Sequence, residues 1–448
     1  MAASLVPTGG GAVPVAAPTW GELTALAPPL PGPVEREARE SGLATAQSNL
    51  RLFGSPVSSA QIILYVDVFR WCPYSAKVTL FLEERRVPHV VKKVTMRCYG
   101  PKEKWYLDIV PNGMLPALQL SPSAPVITES DDILAALEAA HGPLHSPLAG
   151  TAVMPLRRLE RQLFRAWCDW LCQQRRAGSS EEASAAARFD EVAGAVAAAL
   201  CVTPGPFFLE DFSVADVIFT PYLERMRASL FYYKGYDLAA AHPALGRWFG
   251  ALEKRPGYYG LMGDFHTHAH DLPPQMGGCF SGGDPARVAA CQKAVDRGPW
   301  AGVPEVSAPG APTTPAAAAE AARRVIKYRD TLSQVNPDKA PGRFDAALRC
   351  ALVALLHPVG LSPTPPPPPP PGSELGLRHL RDQISVPRDM TVHAARALRQ
   401  ALEDTAAACG GGGGGDAAQP PPLPTSHRMD QCGALFAAAS AAKGGGVL

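Results

Sequence analysis

Residues 62–86 read I-I-L-Y-V-D-V-F-R-W-C-P-Y-S-A-K-V-T-L-F-L-E-E-R-R, and this stretch constrains the chain most. Ile62 to Val66 is apolar at every position, as in a strand buried on both faces. After a short loop, Tyr74, Val78, Phe81 and Leu82 recur at helical spacing, with Lys77, Glu83 and Glu84 off that face. Cys72 stands at the strand-to-helix junction and is followed by Pro73. Proline suits the first helical position, where its missing N–H would have had no partner. The cysteine is thereby set at the positive end of a helix dipole, which favours the thiolate. In comparable sites a thiol pKa falls from about 8.5 into the range of about 3.5–7.5. The expectation is a reactive nucleophile; the alternative is a buried, inert thiol.

A second strand is expected over His89 to Met96 and a short helix over Pro101 to Asp108. Two short strands, Ala117 to Leu120 and Val126 to Thr128, flank a turn-rich spacer, and a helix follows over Glu129 to Ala140. This β-α-β then β-β-α order, with Cys-Pro at the first helix, is a thioredoxin-like plan. Pro116, just before a strand, is expected in the cis form facing the cysteine. From Pro155 to about Gly260 the periodicity is all helical, and Ser213 with Asp216 forms an S-x-x-D capping box at one helix start. Later helices are expected at 316–332, 343–356 and 391–402, with the run Pro365 to Pro371 acting as a stiff polyproline II spacer.

The 448 residues suffice for two or three domains. Pro (47) and Gly (41) cluster outside the periodic segments, which marks those stretches as linker and tail. The expected division is an N-terminal, partly disordered extension at 1–59, a thioredoxin-like domain at 60–150 and an all-helical domain at 151–270. A linker at 271–315, a helical extension at 316–404 and a disordered tail at 405–448 complete it. The formal charge of +1 argues against general binding to nucleic acid or acidic membranes. Ten scattered cysteines without C-x-x-C pairs read as free thiols in a reducing compartment. No apolar run reaches the ~18–20 residues of a membrane span. With no Lys or Arg before Arg36, a secretory signal is disfavoured. The expected location is the cytoplasm, with a plastid as the alternative.

The order Cys72-Pro73-Tyr74-Ser75, Met114-Leu115-Pro116 before a strand, Glu129-Ser130 opening a helix, and then a helical domain with the box at Ser213 resembles the glutathione transferase family. The resemblance covers about Ala60 to Gly260. Its cysteine motif resembles the omega, lambda and dehydroascorbate-reductase branches. The strings R-L-F-G at Arg51, W-C-P-Y at Trp71, K-V-T-M-x-C-Y-G at Lys93 and G-M-L-P-A-L at Gly113 resemble most an iota-type branch of algae, plants and cyanobacteria. The fold class implied is an α/β thioredoxin-like domain plus an all-α transferase domain, here with a small helical C-terminal extension. The activity implied is that of a glutathione-dependent thiol transferase or oxidoreductase in redox and detoxification chemistry. Its reactions would be deglutathionylation, dehydroascorbate reduction or glutathionyl-quinone reduction.

On that resemblance Cys72 is the catalytic nucleophile, and Pro73, Tyr74, Ser75, Leu115, Pro116, Glu129 and Ser130 bind glutathione. Ser75 stands where dithiol relatives carry a second cysteine, which points to a monothiol route. Leu115 would pair with the cysteinyl backbone, while Glu129 and Ser130 hold the γ-glutamyl end at a helix N-terminus. One departure is that omega-type relatives place a lysine where Asp108 to Val110 stand here; Lys102 or Lys104 would have to serve instead. Trp167, Trp170, Phe219 and Tyr222 are candidates to line the electrophile pocket, with most aromatics of this region expected simply as core. The alternating His266, His268 and His270 read as a solvated loop rather than metal ligands, so glutathione is expected as co-substrate with no metal. The expected partners are glutathione and a small electrophile or disulfide; a homodimer is compatible with the family. The alternative function is a non-catalytic scaffold on this fold, with the C-terminal extension binding an unknown partner.

Overall fold

The computed structural model describes residues 16–340 and 342–409. They form two compact units. Residues 30–312 and 382–396 make the larger; 16–29, 313–381 and 397–409 make the smaller. Helix α1 (Trp20–Leu26) belongs to the smaller unit and is treated with it.

The larger unit opens with α2 (Gly32–Ser41) and β1 (Leu50–Arg51). The core sheet then forms from β2 (Ile62–Asp67), β3 (His89–Val94) and β4 (Ala117–Gln119), in the order β1-β3-β2-β4. β2 runs parallel to β3 and antiparallel to β4, and β1 is antiparallel to β3. Being interior, β2 buries five of its six residues, which is why its sequence is apolar without alternation. The strand expected at 126–128 contributes one bridge, Leu118 to Ile127. The sheet carries α3 (Pro73–Glu84), α4 (Lys104–Ile109) and α5 (Ser130–His141).

β1 was not expected from the sequence, because two residues carry no period. It is held by side-chain chemistry: Arg51 is buried, and its guanidinium binds both carboxylate oxygens of Glu83 on α3 at 2.8 Å. The same guanidinium donates to the carbonyls of Arg39 and Gly42, at 2.6 and 2.7 Å. Such a bidentate pair is among the stronger polar contacts a fold makes. Residues 30–59 are therefore fixed onto the helix that starts at Cys72.

A helical domain follows: α6 (Val153–Cys172), α7 (Ser180–Ala199), α8 (Val214–Lys234), α9 (Leu238–Ala241), α10 (Pro243–Leu252) and α11 (Pro256–Tyr259). The Ser213–Asp216 capping box opens α8, whose Asp216 also accepts from Trp248 Nε1 at 2.8 Å. Buried α8 is the axis of this domain, and its apolar and aromatic side chains on all faces are the reason.

The chain does not loosen after Gly260. The histidine segment expected as a solvated loop is α12 (Phe265–Met276), capped by Asp264, with His266 and His268 buried. Residues 271–315, expected as linker, contain α13 (Pro285–Arg297) and the buried Trp300 and Val303, which pack on Ala228 and Tyr232 of α8. The misreading has a physical cause. Pro273 and Pro274 inside α12 and the Gly/Pro-rich flanks mimic a linker, while the burying partners lie far away in sequence.

In the smaller unit Trp20 of α1 donates to Asp345 at 2.9 Å. It contains α14 (Pro315–Val335), α15 (Arg343–Leu356) and most of α16 (Glu374–Gln383). Residues 397–409 of α17 (Val392–Cys409) also belong to it. Glu403 of α17 pairs with Arg378 of α16 at 2.9 Å. Pro365 to Pro371, between α15 and α16, has no regular helix or strand. The tail was expected to start at 405, but α17 continues to Cys409; the rest of that expectation lies outside the described residues, as do residues 1–15 of the N-terminal one. Residues 382–396, expected within the helical extension, belong to the larger unit.

Candidate active site

Asp67, the last residue of β2, is fully buried and organises the turn that presents the cysteine. Its two carboxylate oxygens accept the backbone N–H groups of Trp71 at 2.7 Å and Cys72 at 3.0 Å. Arg225 of α8 donates to the Trp71 carbonyl at 2.7 Å. The Trp71 indole donates to the Val386 carbonyl at 3.3 Å, and the Val386 N–H in turn donates to Thr267 Oγ1 at 2.9 Å. Phe69 stacks on Trp71 with centroids 4.6 Å apart, and Tyr99 meets both edge-on. The loop is therefore held from the strand, from α8 and from the returning segment 382–396.

Cys72 is the N-cap of α3 and Pro73 its first residue. Cys72 is only 6% exposed. Its Sγ lies 3.8 Å from the carbonyl oxygen of Leu115, whose bond to Pro116 is cis. Burial and the nearby Asp67 carboxylate push the thiol pKa above its ordinary value, while the Ser75 hydroxyl and the amides of Ser75 and Tyr74 pull the other way. The sequence-based expectation of a depressed pKa is thus reversed. A helix N-terminus does face the sulfur, but the desolvation of a buried thiolate outweighs it. Ser75 is buried, and its hydroxyl has no other hydrogen bond.

Behind the sulfur lies a cavity of about 40 Å³, with Asp67, Arg70, Ser75, Glu224 and Tyr258 among its walls. It has room for water, not for a tripeptide. Glu224 accepts from Tyr258 at 2.7 Å and pairs with His268 at 3.0 Å. Burial and Arg225 pull the His268 pKa down, but Asp271 and Glu224 outweigh them and hold it at about 9.

On the open side stand Tyr74, Met114 and Glu129, all exposed, with Ser130 buried at the start of α5. Glu129 has φ +63°, a conformation that costs a non-glycine residue about 1–3 kcal/mol and collects at ligand-binding positions. Lys77 of α3 binds Asp131 of α5 at 2.7 Å, so the N-terminal turns of the two helices lie side by side. The two lysines offered from the sequence part company. Lys104 is exposed and paired with Asp108 at 3.1 Å. Lys102 packs its stem beside Gly113, donates to the Thr95 carbonyl at 2.8 Å and lies in the field of Cys72.

Of the expected pocket aromatics, only Tyr222 joins the site, meeting Tyr74 edge-on at 5.8 Å. Trp167 is bonded to Ser229, Trp170 to Glu182, and Phe219 stacks on Phe208; these three are core. Phe164 and Arg161, which sequence reasoning passed over, stand beside Tyr222 instead, with the Arg161 guanidinium 4.9 Å from its ring. Asp67 was also missed, although an acidic residue ending an apolar strand just before a Cys-Pro turn was a readable signal. Arg225, Glu224 and Val386 gave none, since each reaches the loop from distant sequence.

A thioredoxin-like sheet, a cysteine capping its first helix, a facing cis-proline strand and an all-helical second domain define a class of thiol proteins. Comparison shows what this part of the chain is similar to. Residues 71–140 match the family model described as Glutathione S-transferase, N-terminal domain, and residues 163–257 match Glutathione S-transferase, C-terminal domain. Glutathione S-transferase DHAR2 of Arabidopsis thaliana is 25% identical over 194 residues, covering 43% of this chain and 84% of the relative. Glutathione S-transferase DHAR3, chloroplastic, of the same plant is 27% identical over 175 residues, covering 38% and 61%. Among solved structures, the dehydroascorbate reductase of Chlamydomonas reinhardtii is 22% identical, with a TM-score of 0.36, covering 44% of this chain and 91% of that one. Residues 71–257 thus match, in order, the N-terminal and C-terminal domain models of the glutathione S-transferases. Among the described residues no helix is long and apolar enough to cross a membrane.

Proposed function

We propose that the protein is a glutathione-dependent thiol transferase or reductase in which Cys72 is the nucleophile. The observation that carries this reading is the placement of Cys72 Sγ at the N-terminus of α3, 3.8 Å from the Leu115 carbonyl beside cis-Pro116. The names of the relatives, dehydroascorbate-reductase-type glutathione transferases, agree with it. Within the family, the four strings around Arg51, Trp71, Lys93 and Gly113 favour the iota-type branch. A plastid or cytosolic pool of reduced glutathione would supply the reductant.

Glutathione would lie on the open side. Its cysteinyl backbone pairs with Leu115, its γ-glutamyl group meets Glu129, Ser130 and the N-terminus of α5, and Pro73, Tyr74 and Ser75 line the sulfur end. Lys102, whose stem lies beside Gly113, would turn from the Thr95 carbonyl to take the glycine carboxylate, a role for which the Asp108-paired Lys104 is unsuited. In the resting state the Cys72 thiol and an incoming cysteinyl N–H compete for the same acceptor, Leu115 O. Pairing of glutathione with Leu115 would release the thiol, and its proton passes to solvent as the thiolate forms.

The thiolate attacks the glutathionyl sulfur of a mixed disulfide RS–SG. The RS–SG bond breaks, RS⁻ leaves and takes a proton, and Cys72–S–SG forms. A second glutathione thiolate attacks the glutathionyl sulfur of that adduct, giving oxidised glutathione and Cys72 thiolate. With Ser75 at the resolving position, no intramolecular disulfide closes there. The test is glutathione-dependent reduction of hydroxyethyl disulfide and dehydroascorbate, with Cys72→Ser as control. Activity retained in that variant would overturn the cysteine mechanism.

A second reading, a non-catalytic scaffold, draws on the burial of Cys72 and the upward shift of its pKa. It requires that no glutathione adduct form at Cys72.

A further inference from the structure

α12 and α13 bring together three metal-ligating side chains that the proposed glutathione site does not use. His266 and His270 are one helical turn apart on α12, and Asp296 lies in the last turn of α13. Their ring nitrogens and carboxylate oxygen all lie within 4.8 Å of one another. Ligands held at about 2.0–2.2 Å from a tetrahedral zinc ion stand roughly 3.4 Å apart, so a small closure completes the set. The two imidazoles meet with centroids 5.0 Å apart. His266 is buried, and His270 and Asp296 are half-buried, so one side of the cluster opens to solvent.

The surroundings are those of a supported ligand set. The Tyr232 hydroxyl donates to Asp296 Oδ2 at 2.8 Å and leaves Oδ1 toward His270, whose Nε2 is 2.8 Å away. Tyr232, Ala269, Val295 and Trp300 belong to one buried apolar cluster, and the Tyr232 ring meets His270 edge-on at 5.3 Å. Hydrogen bonds that orient a ligating carboxylate, inside a shell that limits solvent, are what metal sites use to fix their ligands. His268, between the two, points elsewhere and is engaged by Glu224 and Asp271. The spacing H-x-x-x-H with a third ligand contributed by the next helix is hidden in sequence by that middle histidine.

We propose that His266, His270 and Asp296 form a site for one zinc-class divalent cation that clamps α12 to α13. Nitrogen and carboxylate donors suit zinc, cobalt or nickel over calcium or magnesium. On binding, a neutral His270 with Nε2 free of its hydrogen and the Asp296 carboxylate each donate a lone pair to the cation; nothing is oxidised or reduced. With three protein ligands the remaining position falls to water. The clamp would stiffen α12, which supports the cysteine loop through Thr267, Val386 and Trp71. The proposal does not depend on the glutathione chemistry.

The test uses the full chain, without a histidine tag, reduced and stripped with chelator, then titrated with Co²⁺ and challenged with Zn²⁺. The expected result is saturable binding of one equivalent, visible cobalt bands without a thiolate-to-cobalt charge-transfer band, and displacement by Zn²⁺. Asp296→Asn and His270→Gln should weaken binding by about a hundredfold, and Tyr232→Phe by about tenfold. Cys172→Ser should leave binding unchanged. Absence of saturable binding, a thiolate charge-transfer band, or equal affinity in all variants would overturn the site. Should the ligand variants fail to fold, the wild-type spectrum and Tyr232→Phe still decide it.

Discussion

The Cys72 thiol and the Leu115 carbonyl oxygen face each other at 3.8 Å, and in the proposed mechanism that contact would link glutathione binding to reactivity. A thiol that donates to a carbonyl is in its protonated, unreactive form. The acceptor it uses is the backbone group that a peptide-like ligand would claim. The α3 N-terminus supplies the amides that stabilise a thiolate once the proton has gone.

The first consequence concerns pH. Burial and Asp67 raise the Cys72 pKa, so the thiolate fraction of the free protein is small near neutrality. Alkylation of Cys72 by iodoacetamide should therefore rise continuously from about pH 6 to about pH 9 without a plateau. Asp67→Asn removes the nearby negative charge and should move the profile to lower pH. A plateau reached below about pH 7 in the unsubstituted protein would contradict the electrostatic account.

Lys102 and Lys104 are distinguished by their surroundings. Replacing Lys102 by Met should raise KM for glutathione by about tenfold, the worth of one charge-assisted contact, with a smaller effect on kcat. Lys104→Met should change neither, since Lys104 is exposed and engaged with Asp108. Steady-state kinetics with glutathione varied tests both.

His268 should make stability depend on pH. Its folded pKa is held at about 9, above the ordinary 6.5. A cationic group so raised contributes fully below about pH 6.5 and loses its contribution as pH rises through about 9. The stability read by thermal unfolding should therefore fall across that window, by on the order of 1–3 kcal/mol. The slope should largely vanish in His268→Gln.

Gly263 is the position that lets this histidine pack. A Cβ there would stand 2.1 Å from His268 Nε2 and 2.8 Å from its Cδ2. Gly263→Ala should cost about 1–3 kcal/mol through overpacking, read as a lowered denaturation midpoint. An unchanged midpoint would mean that the ring and its Glu224 contact are free to shift.

Much of the fold was legible because it is local. The unbroken apolar run of β2, the Cys-Pro junction at α3 and the capping box at Ser213 each name their element without help from elsewhere. The candidate site was legible where the signal is a motif: the expected residues Cys72, Ser75, Leu115-Pro116 and Glu129-Ser130. It was illegible where long-range burial decides. The dipole of α3 does favour the Cys72 thiolate, but the desolvation that opposes it comes from packing that the sequence does not display. Trp167, Trp170 and Phe219 fit a pocket by residue type, yet their partners Ser229, Glu182 and Phe208 place them in the core. The histidines of α12 lie beside Pro- and Gly-rich sequence, the segment around Val386 carries no regular period, and the order of both comes from contacts with α8, α13 and Trp71.

The most direct test of the central claim is peptide-mapped mass spectrometry after brief exposure of the reduced chain to oxidised glutathione. The account predicts one glutathionyl adduct on Cys72, removed by reduced glutathione and absent in Cys72→Ser. An unmodified Cys72, with adducts only on other cysteines, would contradict it.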